Sequence, residues 1–164
     1  MTPIPAEGLL ITNRGEFLAA LRNAFAETAA VGCREVWLSD PDFADWPLGE
    51  RAVVEHLGAW AQSQRRLVVL AENFDEVARR HPRWVEWRRQ WAHIVQCRAS
   101  TEDQPGQVPT LLIAGGLLSV HLADRVQSRG RASRNPADEQ RCHERIDAIL
   151  QRSVETFPAT TTGL

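Results

Sequence analysis

"GQVPTLLIAGGLLSVHL", from Gly106 to Leu122, is the stretch whose reading decides the fold. Two runs rich in Leu, Ile and Val flank Ala114-Gly115-Gly116. A double glycine between such runs marks an antiparallel hairpin, because the tight turn needs backbone conformations that glycine adopts without steric cost. Upstream, "EVWLS" (Glu35 to Ser39) and "RLVVLAE" (Arg66 to Glu72) are short, continuous apolar runs, the pattern of strands buried on both faces. His93 to Arg98 reads as a fourth strand.

Helical periodicity fills the intervals. Asn13 is the expected N-cap of a helix over Glu16 to Ala29, in which Phe17, Leu21, Ala24 and Phe25 share one face, and Gly32 ends it. A second helix is expected from Glu50 to Gln64, with Val53, Leu57, Trp60 and Ala61 as its stripe. Asn73 caps a short helix to Arg80, and Pro82 opens another through "PRWVEWRRQW". Asn135-Pro136 starts a last helix to Val154, with Cys142, Ile146, Ile149 and Leu150 inward. "STEDQPGQ" and the arginine-bearing "ADRVQSRGRASRNP" read as polar loops, and "FPATTTGL" as a frayed tail. Helices alternating with buried strands imply βαβ units. The expected fold class is therefore α/β: a mixed, mostly parallel sheet flanked by helices on both faces. The whole chain is expected to form a single domain, with its core at residues 8–154 and a flexible tail at 155–164.

Composition narrows the function classes. The 164 residues carry a net charge of -2, so no global field draws the chain to nucleic acid or an anionic membrane, and nucleic acid is not the expected partner. "MTPIPAEGLL" lacks the basic start and apolar core of a signal peptide, and no run approaches the ~20 apolar residues of a membrane helix. A cytoplasmic location is expected. Cys33, Cys97 and Cys142 are far apart with no CxxC pair, which argues for free thiols rather than disulfides or a thiolate zinc site. All 19 basic residues are Arg. The absence of Lys excludes a Walker A loop, a pyridoxal Schiff base and a Lys nucleophile; the absence of Tyr excludes a phenolic acid.

Four groups of residues invite a functional reading. Asp40, Asp42 and Asp45 follow the strand "EVWLS", where open α/β sheets place ligands, and could line a polar cleft; Asx-turns and capping explain them as readily. Arg125, Arg129 and Arg131, with Arg134 beyond, flank Gly130 and suit an anion, since guanidinium forks match phosphate and carboxylate. Trp84, Trp87 and Trp91 fall on one helical face, a core stripe rather than a stacking platform; the opposite face carries Arg83, Arg89 and Gln90, with Arg88 near the boundary, as an ordinary solvated surface. The five histidines show no HxH or HExxH spacing, so no metal and no cofactor is expected.

"EVWLSDPDFADWPL", "RLVVLAENFDEVARRHPRWVEWRRQWAHIVQC", "LLIAGG", and "RG" ahead of "NPAD" together resemble a single phospholipase D-like domain, closest to an uncharacterised bacterial branch of that superfamily. The resemblance runs over about Arg14 to Ser153 and implies a phospholipase D-like sandwich. Active members carry HxKxxxxD leading into a hairpin of this kind, with a His nucleophile and a Lys phosphate clamp. Here Gln107, Pro109 and Ala114 stand where the His, Lys and Asp would be. The resemblance therefore implies a non-catalytic member acting as a binding or regulatory module, with a small anionic ligand and, as in related single-domain enzymes, a homodimer. Two alternatives remain: a hydrolase or phosphoryl-handling enzyme in which the Asp and Arg groups meet at one cleft, and a nucleic-acid-binding protein.

Overall fold

The computed structural model describes residues 3–101 and 107–157. The element order is β1 (Leu9–Ile11), α1 (Arg14–Val31), β2 (Glu35–Ser39), α2 (Arg51–Trp60), β3 (Arg66–Ala71), α3 (Asp75–Arg80), α4 (Pro82–Gln90), β4 (Val95–Ser100), β5 (Thr110–Ala114), β6 (Leu118–Asp124), β7 (Arg129–Ser133), α5 (Pro136–Leu150) and β8 (Ser153–Glu155). The strands form one sheet in the order β1-β7-β6-β5-β2-β3-β4-β8.

The sheet is mixed, as expected, but its balance is the reverse of the expected one. Only β2–β3 and β3–β4 run parallel, joined through helices as the βαβ pattern requires. The β5–β6 hairpin adds antiparallel to β2, β7 extends it, and β1 and β8 close the two edges antiparallel. The overcount of parallel pairing comes from three unforeseen strands. β1 and β8 have three residues each, too short for any periodicity to register. β7 lies inside the stretch expected to be a loop; its sequence, Arg-Gly-Arg-Ala-Ser, contributes only Ala132 to the main core.

Helices cover both faces. The main core lies between the sheet and α1–α4, where Phe17, Leu21 and Phe25 of α1 and Leu57 and Trp60 of α2 meet Leu38, Val69, Leu112 and Val120 from the strands. Fully burying side chains of this kind stabilises by about 1.5–3 kcal/mol each. Trp84 and Trp87 belong to this core and Trp91 packs at its margin, so the tryptophan row is inward. Arg88, near the boundary of that surface, is buried: it is 4% exposed, its guanidinium lies against Cys97, and its Nε and Nη1 have no hydrogen-bond partner among the described residues. Burial pushes the Cys97 thiol up to about 11. On the opposite face α5 is the one helix among the described residues, setting Cys142, Ile146 and Ile149 on Leu70, Leu111 and Ile113.

Local chemistry explains the boundaries. Asn13 caps α1 by accepting the Glu16 amide at 2.9 Å, and Glu16 reaches back to the Thr12 amide at 2.8 Å. Gly116 turns the hairpin with φ +78. Gly130 is required by close approach: a Cβ there would lie 2.0 Å from the His121 carbonyl oxygen across the β6–β7 ladder. The last helix ends at Leu150 rather than Val154, because Ser153–Glu155 pairs with β4. Phe157 stacks on Phe74 at 5.3 Å, so the expected flexible tail begins later than residue 155; residues 158–164 lie outside the described residues. At the other end Ile4 is buried, extending the core before residue 8.

Candidate functional site

Two polar regions emerge, one on the loop after β2 and one on the α5 face. The first holds the predicted aspartates. Asp40 directly follows β2, at the C-terminal end of a strand where open α/β sheets place ligands. It is 2% exposed, and its oxygens are occupied. Oδ1 accepts the Thr110 hydroxyl at 2.5 Å, and Oδ2 accepts the Phe43 and Asp42 amides at 2.7 and 3.1 Å. Arg125 bridges Asp40 at 3.5 Å and Asp42 at 3.0 Å. Asp45 pairs outward with Arg14 at 3.2 Å. Phe43, at φ 59, is a buried non-glycine residue held in the left-handed region, and its carbonyl accepts His81 Nε2 at 2.7 Å. The remaining space is about 20 Å³.

Of the three hairpin positions, Pro109 lies at this corner and Ala114 at the other end of β5. Pro109 is buried, with its carbonyl accepting the Ser39 hydroxyl at 2.7 Å, and Ala114 sits fully buried in β5 opposite Val36 and Leu118. Gln107 is exposed just ahead of the strand.

The second region is a cleft of about 320 Å³ beside α5. Its floor is the outer face of β6 and β7: Ser119, His121, Arg131 and Ser133, brought abreast by the Ser119–Ser133 and His121–Arg131 register. Its wall is one stripe of α5, Asp138, Arg141, Cys142 and Arg145, at helical spacing. The cleft exists because a single helix cannot cover an eight-stranded sheet. α5 settles on the apolar patch of β3 and β5, leaving the polar face of β6 and β7 open.

Charge in the cleft is unbalanced. Asp138 accepts the Ser133 hydroxyl at 2.5 Å and pairs with Arg141, contacts that hold its carboxyl below the usual range. Arg145 Nη1 lies 2.9 Å from His121 Nε2. Burial, then the Arg145 charge, lowers the His121 pKa. Burial raises the Cys142 thiol, which is therefore neutral. Arg131 and Arg145 face the cavity without an ion pair among the described residues, although the Arg131 charge also acts on Asp138.

The predicted arginines thus separate. Arg125 joins the aspartate corner, Arg131 the cleft, and Arg129 is exposed at the far end of β7. Arg134 is tied up by Glu27, at 2.6 and 2.7 Å, and by the Ile4 carbonyl. Arg141 and Arg145 were not singled out from the sequence; the signal was present as polar residues on the flank of the apolar stripe of α5. Among the described residues no three His, Cys, Asp or Glu side chains are placed to hold a metal ion, and no helix is long and apolar enough to cross a membrane.

The fold and these two regions define an α/β domain with a sealed acidic corner and an open arginine cleft. No protein-family model and no curated protein matches the sequence. Among solved structures the chain is similar to TrmBL2, an archaeal chromatin protein whose structure shows a novel mode of DNA binding. The TM-score is 0.64 at 11% identity, over 94% of this chain and 56% of that one. The likeness is one of fold, and this chain spans little more than half the length of that protein.

Proposed function

We propose that this chain is a non-catalytic binding module of phospholipase D-like descent that holds a small anionic ligand in the cleft between β6, β7 and α5. The carrying observation is the convergence of Arg131, Arg141, Arg145 and His121 on one concavity of about 320 Å³ with a single carboxylate in its lining. That volume matches the lower end of the range for small-molecule sites, about 300–1,000 Å³. Gln107, Pro109 and Ala114 at the motif positions, and a chain without Lys, support the absence of phosphodiester chemistry. The closed packing around Asp40 supports a structural role for that corner rather than the alternative hydrolase.

Thermal unfolding with added sulfate, inorganic phosphate or pyrophosphate tests the proposal. The expected outcome is a rise in melting temperature that saturates with ligand and is lost in Arg145→Met. No rise with any oxyanion overturns it.

A second reading, nucleic-acid binding, is favoured by the fold likeness to a DNA-binding chromatin protein and by the arginines of the same cleft. It runs against the expectation drawn from net charge. Duplex DNA binding whose affinity falls with salt by a log–log slope of about -0.9 per phosphate contacted would establish it. Absence of DNA binding at low salt would remove it.

A further inference from the structure

We infer that the cleft selects doubly charged oxyanions and that His121 takes up a proton when one binds; this rests on the anion-binding reading above. The starting point is the His121–Arg145 contact of 2.9 Å. A guanidinium is always protonated and offers no acceptor, so Nε2 must accept, which leaves the imidazole neutral with its proton on Nδ1. The cleft therefore holds an unprotonated imidazole among cations.

Every packed element contributes to that state. Across the ladder β7 places Arg131 opposite His121, and β5 places apolar Leu111 on its other side. From α5 come Arg145, Arg141, neutral Cys142 and Asp138. Asp138, the lining carboxylate, is bonded by Ser133 and Arg141 and also feels Arg131, so its one negative charge offsets only part of the positive charge of three arginines. Desolvation and Arg145 together keep the imidazole neutral.

An oxyanion between Arg131 and Arg145 removes the second reason and opposes the first, since its negative charge favours the protonated ring even as it displaces water. It draws Arg145 off the imidazole nitrogen, frees Nε2 to be protonated, and turns His121 into a third donor. A dianion, shared between two guanidinium groups, retains attraction for an imidazolium; a monoanion has its charge spent on the arginines. The proton comes from solvent and rests on Nε2, with no bond of the ligand made or broken.

Sulfate and nitrate at matched ionic strength are the probes, because neither changes its charge near neutrality. Calorimetric titration should show sulfate affinity rising about tenfold from about pH 8 to about pH 5.5, one pKa unit of coupling being tenfold. Two buffers of different ionisation enthalpy should report proton uptake with sulfate and none with nitrate. In the wild-type protein, the C2–H resonance of His121 should titrate at higher pH once sulfate is present. His121→Gln, which keeps an acceptor for Arg145, should bind sulfate at high pH but lose the pH slope. Sulfate binding without pH dependence, an unmoved His121 titration, or an undiminished slope in His121→Gln overturns the inference and leaves the anion site standing. No sulfate binding at any pH overturns both.

Discussion

The Asp40 corner and the α5 cleft are built from the same side chains, aspartate, arginine, histidine and small hydroxyls, yet one is shut and the other open. In the corner each charge finds a partner: Asp40 is bonded by two amides, a hydroxyl and Arg125, and about 20 Å³ remains. In the cleft Arg131 and Arg145 share about 320 Å³ with one carboxylate that is already committed. A dense run of charged residues is therefore a poor guide to a site. A surplus of one sign, left facing space, is a better one.

The largest effect expected from breaking this contrast is at Asp40. Asp40→Ala strips partners from the Thr110 hydroxyl and the Phe43 and Asp42 amides at a buried position, and should cost about 3 kcal/mol in urea unfolding while sulfate binding persists. A loss below about 1 kcal/mol would mean the corner is not the structural lock described.

Gly130→Ala comes next. Its Cβ would collide with the His121 carbonyl oxygen, forcing β6 and β7 apart at about 2 kcal/mol or more and weakening sulfate binding, because the floor itself shifts. Unchanged unfolding and binding would show that the ladder adapts.

Separating the arginines tests position against composition. Arg131→Met should weaken sulfate binding about tenfold, a charged hydrogen bond being worth about 1.5 kcal/mol, with stability changed by about 0.5 kcal/mol at most. Arg129→Met, a few ångströms along the same strand but outside the cleft, should leave binding unchanged. Equal losses in both would dissolve the distinction.

The smallest effect is a pH dependence of folding. The folded-state pKa of His121 is lowered below the ordinary 6.5, so the unfolded chain binds more protons between the two values. Stability should fall as pH drops from about 6.5 through the folded value, and His121→Gln should remove that part. Glu50, held below the usual carboxylate range by Arg22, loses its contribution at lower pH, as protonation reaches its folded value. A stability profile identical in wild type and His121→Gln would contradict the assignment.

Much of the scaffold was legible because its residues announce their own geometry. Asn13 predicted the cap, Gly115-Gly116 the hairpin, and the runs at Glu35 and Arg66 the central strands, each by a local rule acting within a few residues. β7 was not legible: Arg129, Gly130 and Arg131 suit a loop in composition, and only pairing with β6 and β1 makes them a strand. Arg88 escaped for a similar reason, since its burial depends on where α4 lies against β4.

The site shows the same division. Asp40, Asp42 and Arg125 do meet, although their sequence distance hid that the meeting would close rather than open a cavity. Arg131 joins Arg141 and Arg145 only because α5 doubles back over the sheet. The chain's own order of residues determined the α/β class, the hairpin and the absence of any lysine chemistry, since these depend on residue type and short-range periodicity. Tertiary structure alone decided how many strands run antiparallel, which arginines stay unmatched and where space remains, because long-range pairing and incomplete coverage by one helix are properties of packing.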